Sequence, residues 1–207
     1  MSDIQTLFVN LYESGGPIVV LLLVFSVIAV TVIIAKAVQL YLLEPSEKNS
    51  IEAALRLWAQ RDTDAAIVKL QKSSSDQTEA IRYAMSSVSS NYPESVVKEE
   101  SQRLANRYWR RLKGKLSILE TIASVSPLLG LFGTVLGMIE AFRAMEQAGS
   151  QVDPSVLSGG IWQALLTTGV GLAVAIPSVL AFQWLDRKAT NKFEHFEDQI
   201  TRVFTQR

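Results

Sequence analysis

Eighteen consecutive positions, Ile18 to Ala35, carry no charge and only two polar side chains, Ser26 and Thr31. As a helix rising about 1.5 Å per residue, the run covers roughly 27 Å, close to the ~30 Å hydrocarbon core of a bilayer. Backbone groups inside lipid must satisfy one another, so a run like this reads as a transmembrane helix. Two more stretches, Ile118–Phe142 and Val156–Leu185, have no charge in their central parts. The expected fold class is an all-α membrane protein with three transmembrane helices, the second and third extended into a cytoplasmic helical bundle. The expected order is an amphipathic periplasmic segment at 1–16, transmembrane helix 1 at 17–43, a cytoplasmic helical domain at 44–117, transmembrane helix 2 at 118–142, a short periplasmic loop at 143–155, transmembrane helix 3 at 156–185, and a cytoplasmic C-terminal helix at 186–207.

The net charge is zero, but the cations are partitioned. Residues 1–16 hold no Lys or Arg and the connection from Phe142 to Leu157 holds only Arg143, whereas Glu44–Lys115 holds thirteen and Asp186–Arg207 five. The positive-inside rule therefore puts the amino terminus outside and both large polar parts, with the carboxyl terminus, in the cytoplasm. Residues 1–16 lack a basic n-region and no small-residue cleavage site follows the first apolar run, so that run is expected to stay in the mature protein. Ile4, Leu7, Phe8, Leu11 and Tyr12 recur at helical spacing before Gly15-Gly16-Pro17; they fit an amphipathic helix on the membrane face or a frayed end.

The polar segment between spans one and two reads as helices, with no alternating run long enough for a sheet. Asn49 with Glu52 and Asp76 with Glu79 fit capping boxes, Asp62 is a further N-cap, and Ser73-Ser74-Ser75 marks a turn. Pro93 is expected to open the longest helix, interrupted only at Gly114 and Pro127 before Phe142. The stripe Leu104, Tyr108, Leu112, Leu116 and Leu119 leads into span two, and Leu185, Ala189, Phe193, Phe196, Ile200 and Val203 lead out of span three. These stripes are expected to bury one another in a bundle too thin for its own core, which favours a homo-oligomer. Charge signs alternate over the remaining surface, so nucleic acid is not an expected partner.

On span two, Ser126, Gly130, Gly133, Gly137 and Glu140 fall on one face, with Thr134 at its edge. On span three, Gly160, Gln163, Thr167, Gly171 and Ser178 form a matching stripe with Thr168 alongside. Close helix packing accounts for the glycines, and a membrane Thr often bonds its own preceding carbonyl. Packing accounts less well for Gln163 and the paired threonines, because an amide at membrane depth needs a partner or water. Glu120 and Glu140 stand near opposite ends of span two and could attract cations there, or be simply solvated. No ionisable group lies at mid-membrane, and Gln163 cannot exchange a proton. If ions cross, Thr134, Thr167, Thr168 and Gln163 supply a polar wall, and the carboxylate that binds the cation must come from another polypeptide. Pro127 and Pro177 are read as kinks that free the carbonyls of Ala123 and Ala173. His195, the only histidine, is given no function.

The chain has no cysteine, no metal-ligand spacing, no phosphate-cradling loop and no nucleophile–base pair. It gives no reason to predict an enzyme, a cofactor or a metal site.

The segment Ala123-Ser124-Val125-Ser126-Pro127-Leu128-Leu129-Gly130-Leu131-Phe132-Gly133-Thr134-Val135 resembles span two of the ExbB/TolQ/MotA ion-channel proteins. Gln163-Ala164-Leu165-Leu166-Thr167-Thr168, with the closing Ala175-Ile176-Pro177, is similar to span three of the same group. The resemblance implies a homopentamer in the bacterial inner membrane, with spans two and three lining a central pore around a dimer of single-span partners like ExbD or TolR. It implies that the partner's membrane aspartate titrates, that ion flow turns the partner within the ring, and that the family's pore threonines fall on Thr134 and Thr168. Many ExbB and TolQ proteins carry a glutamate where this chain has Gln163, which bears on ion affinity and on the choice of proton or sodium. Flagellar stators of the MotA type have four spans and fit less well. Gly159-Gly160-Ile161-Trp162-Gln163-Ala164-Leu165 favours an ExbB-like subunit energising outer-membrane transport through a TonB-like protein. The alternatives are a TolQ-like subunit of an envelope-constriction motor acting with a TolA-like protein, and a non-conducting membrane scaffold. Membrane lipids are partners on any of these readings.

Overall fold

The computed structural model describes the backbone of residues 2–42, 45–71, 75–90, 92–148 and 154–205, and the side chains of residues 15–42, 49–71, 75–90, 92–147, 155 and 157–205. Among the described residues seven helices follow in order: α1 (Ser2–Leu42), α2 (Pro45–Ala59), α3 (Thr63–Leu70), α4 (Asp76–Ser89), α5 (Glu94–Lys113), α6 (Leu116–Ala148) and α7 (Pro154–Thr205). No strand occurs among the described residues. Among the described residues three stretches are long and apolar enough to cross a membrane: Gly15–Leu42, Leu116–Gln147 and Leu157–Thr205.

Local chemistry explains most helix ends. Gly16 leaves the helical region (φ 67°, ψ −169°) and kinks α1 immediately before Pro17, because a residue preceding proline is pushed out of the α conformation. The apolar stripe Ile4, Leu7, Phe8, Leu11 and Tyr12 and the turn residues Ser73 and Ser74 lie outside the described side chains. Asp62 caps α3, accepting from the Ala65 amide at 3.2 Å. At α4 the cap is Ser75, one residue before the expected Asp76, with its Oγ accepting from the Thr78 amide. Asn49 lies inside α2 rather than at its start. Pro93 is the N-cap of α5, but the expected continuous helix is divided. Gly114 takes an extended conformation and Lys115 a left-handed one (φ 68°), so α5 and α6 are separate. By contrast, α6 and α7 run on through Pro127 and Pro177, and at 52 residues α7 is the longest helix, not the one opened by Pro93.

Two compact units emerge, one formed by residues 1–34 and 115–183, the other by 35–114 and 184–207. In the first, α1, α6 and α7 bury many small side chains (Ala29, Ala123, Ser126, Ala141, Ala164, Thr167, Ala175) together with Leu22, Leu116 and Leu119, while Leu128, Phe132, Trp162, Leu165 and Leu180 are exposed. In the second, the core is bulky: Ile51, Leu55, Trp58, Leu70, Ile81, Met85, Leu112, Leu185 and Phe196 are buried. Tyr108 meets Phe196 edge-on at 5.0 Å and Trp109 lies 4.6 Å from Phe193 between ring centroids. Trp58 donates its indole N–H to the Val203 carbonyl at 3.1 Å. Lys36 is buried and donates to the Arg111 and Leu112 carbonyls at 3.1 and 2.9 Å, satisfying acceptors that the last turn of a helix leaves open. Asp76 pairs with Arg107 and Arg111, Glu79 with Arg107, and Glu52 with Arg202.

Candidate ion-pathway site

The candidate residues all lie in the first unit, and most of them line the antiparallel seam of α6 and α7. Glycine makes that seam possible. A Cβ on Gly171 would stand 2.7 Å from the Ser126 carbonyl oxygen and 3.0 Å from Gly130 Cα; one on Gly130 would meet the Thr167 carbonyl and Thr168 Cα at 3.1 Å. Toward the other end, Gly133 faces Thr167, Gly137 faces Ala164 and Gly160 faces Ala141. At Gly130 and Gly171 backbone meets backbone, while Gly133 and Gly160 make room for the Thr167 and Ala141 side chains; larger residues forbid both, the usual basis of tight helix pairing in lipid. Gly130, Gly133, Gly137, Gly160 and Gly171 thus sit in the seam, whereas a Cβ on Gly159 or Gly169 would meet nothing within 4 Å.

The hydroxyls divide into two groups. Ser126 and Thr167 are buried in the seam; Ser126 Oγ donates to the Ile122 carbonyl at 2.6 Å and Thr167 Oγ1 to the Ala164 carbonyl at 2.7 Å. Ser178 does the same with Val174. Thr168 is half-buried and reaches across, donating to the Gly130 carbonyl at 3.1 Å, where Thr167 makes a longer contact of 3.5 Å. Thr134 is half-exposed and bonds only its own helix, at the Leu131 carbonyl. A hydroxyl that donates to a carbonyl still offers oxygen lone pairs to an ion or water, provided it is reachable. Thr134 and Thr168 meet that condition in this unit; Ser126 and Thr167 do not.

Gln163 is half-buried, with its Nε2 3.5 Å from the place a Cβ on Gly16 would occupy. Its amide therefore lies beside the kink in α1. Glu120 and Glu140 are both exposed. One feature escaped the reading of the sequence: Ser117, Glu120, Thr121 and Ser124 form an exposed polar stripe over the first turns of α6. Thr121 donates to the Ser117 carbonyl at 2.9 Å and Ser124 to that of Glu120 at 3.0 Å. Their i, i+3, i+4, i+7 spacing is the sequence signal that marks them, on a face of α6 turned away from Ser126.

No cluster of three or more His, Asp or Glu able to hold a metal occurs among the described residues. From Thr121 to Ile139 of α6, and from Pro154 to Leu185 of α7, no residue is ionisable.

Comparison with known proteins gives this arrangement a setting. The chain is 28% identical over 201 residues to the Tol-Pal system protein TolQ of Haemophilus influenzae, covering 90% of this chain and 86% of that protein. It is likewise 28% identical over 193 residues to the biopolymer transport protein ExbB of Neisseria meningitidis, covering 85% and 86%. A shorter match to exbB1 of Vibrio cholerae reaches 43% over 84 residues, 39% of this chain and 36% of the relative. The family pattern described as the MotA/TolQ/ExbB proton channel family matches residues 33–198, so the chain, with its three membrane-crossing helices, belongs to that family of membrane transport proteins.

Proposed function

We propose that this chain is the pore-forming subunit of an ion-driven motor in the bacterial inner membrane, of the ExbB-like kind. Several copies, five by likeness to the family, close a ring around a dimer of single-span partners like ExbD or TolR. The observation that carries the reading is a wall with hydroxyls and no titratable group. Over the central turns of α6 and α7 the polar side chains are Ser, Thr and one Gln, none able to take up a proton. An acid from the partner's helix completes the path, and Thr134 and Thr168 offer it hydrogen bonds or coordinate the ion as it passes.

Ser117, Thr121 and Ser124 add a separate polar stripe at one end of α6, where exposed Glu120 attracts cations. Buried Ser126 and Thr167 serve the seam, and Gln163 acts at the contact with the α1 kink. The amino terminus is periplasmic, residues 44–117 and 186–207 are cytoplasmic, and flow drives a TonB-like protein that energises outer-membrane transport.

The test is ion flux into vesicles holding the protein with its co-expressed single-span partner. Thr134→Val and Thr168→Val are each expected to cut the flux about tenfold, the scale of one lost hydrogen bond to a charged group of roughly 1.5 kcal/mol. Unchanged flux in both variants removes the threonines from the path, and no flux from the wild type under any imposed gradient favours a scaffold.

The TolQ-like reading has its own support in the match over 90% of the chain to a Tol-Pal protein. Purification from native membranes separates the two: a TonB-like companion supports the first, a TolA-like companion the second.

A further inference from the structure

The second unit contains a polar network buried between helices far apart in sequence. Gln77 in the first turn of α4 donates its amide to Gln199 Oε1 of α7 at 2.8 Å, and both side chains are buried. Gln199 Nε2 lies 3.3 Å from Glu52 Oε1 of α2 and 3.2 Å from Nε2 of His195, one turn earlier on α7. Glu52 also receives Arg202, at 3.2 and 3.3 Å, and His195 Nε2 stands 3.9 Å from it.

The hydrogen-bond polarity of this chain depends on one nitrogen. With Gln199 Oε1 occupied by Gln77, the Gln199 amide nitrogen must donate, so His195 Nε2 is the acceptor of a neutral ring with its proton on Nδ1. A proton added at Nε2 turns that acceptor into a donor and puts two N–H groups face to face at hydrogen-bond distance. Two-fifths of the His195 side chain is exposed, so solvent can supply the proton. Imidazole is the side chain that ordinarily changes charge between about pH 5 and 8.

We propose that His195 is a proton-binding site whose occupation is passed through Gln199 to Gln77 and the start of α4. The new Nε2–H needs an acceptor, so the Gln199 amide reverses to present its Oε1 to His195. Glu52 gives up the Gln199 bond and keeps Arg202, and the Gln199 nitrogen now faces Gln77, which must reverse in turn because its own nitrogen had been the donor. Charged groups of both signs surround His195. From α2 there is Glu52, with Arg56 exposed a turn further on; α7 itself contributes Arg202 across Glu52 and the exposed Glu194 and Asp198. Lys192 is engaged by the Leu40 carbonyl, α5 presents Tyr108 and Trp109 to the rings of Phe196 and Phe193, and Asp76 beside Gln77 is held by Arg107 and Arg111. Any adjustment at Gln77 therefore falls next to the residue that ties α4 to α5.

Hydrogen–deuterium exchange on the full-length protein, corrected for the intrinsic pH dependence of exchange, tests this between pH 8 and pH 5.5. Peptides covering residues 76–81 are expected to change protection at least threefold, and His195→Gln to abolish the change. His195→Lys, permanently charged, is expected to show the acid pattern at both pH values. Gln77→Met is expected to keep the response in peptides around Glu52 and His195 while losing it in α4. An unresponsive α4 in the wild type, or the same response in His195→Gln, overturns the proposal. So does an α4 response that survives Gln77→Met.

Discussion

The two units solve opposite packing problems with the same secondary structure. The first builds its α6–α7 seam from glycine, alanine and hydroxyl side chains, buries only a few large ones such as Leu22, Leu116 and Leu119, and exposes leucine, phenylalanine and tryptophan; the second buries mainly large side chains and covers itself with ion pairs. In water, association is driven by removing apolar area from solvent, so large side chains belong inside. In lipid that drive is absent between helices, and cohesion depends on close contact and internal hydrogen bonds, which small residues permit. The inversion is the physical signature of two different solvents acting on one chain.

The largest expected effect probes the second unit. Phe196→Ala removes a fully buried ring that touches Tyr108 and Phe193, and should lower stability by about 3–5 kcal/mol, read from thermal unfolding in detergent. A loss below about 1 kcal/mol would show that this unit is not held by a core of the soluble kind. In the first unit the damaging change is addition rather than removal. Gly171→Ala should cost about 1–3 kcal/mol, because its Cβ would press on backbone atoms of α6 that cannot yield. Gly169→Ala, two residues away and facing open space, should be neutral or stabilising by up to about 1 kcal/mol. Equal effects from the two would deny that the seam matters.

The smallest effect is electrostatic and belongs to Glu52. Burial opposes its ionisation, but hydrogen bonds from Gln199 and Arg202 and the charges of Arg202 and His195 outweigh it and hold the carboxyl below the usual 4.5. A carboxyl depressed by folding stabilises the native state fully above its unfolded pKa and loses that contribution as pH falls through the folded value. Wild type should therefore exceed Glu52→Gln in melting temperature at pH 7, with the gap closing as pH drops below about 4.5. A gap that persists at pH 3 would assign the difference to packing instead.

Sequence reasoning reached far in places where the signal is local. The cap at Asp62, the start after Pro93 and the apolar stripes through Tyr108 and Phe196 were legible because neighbouring residues alone set them. The cap at Ser75 was misplaced by one residue, since Ser and Asp both accept the amide bond and only backbone geometry chooses between them. The α5–α6 break was misjudged because Lys115 adopts a left-handed conformation that nothing in its side chain favours. Among the candidate residues, spacing put Ser126 and Thr134 on nearly the same face, yet one is sealed in the seam and the other half-exposed.

The sequence by itself determined that three segments suit a bilayer, that these segments carry hydroxyls but no titratable group, and that the chain is helical throughout its described length. Such properties follow from composition over a window, and a window needs no knowledge of what packs against it. Tertiary structure alone decided which hydroxyls face the seam, that Gln163 meets the α1 kink, and that Gln77 and Gln199, 122 residues apart, share one hydrogen bond. Those outcomes depend on the rotation and depth of one helix against another, and a shift of a single residue turns a side chain by about 100°.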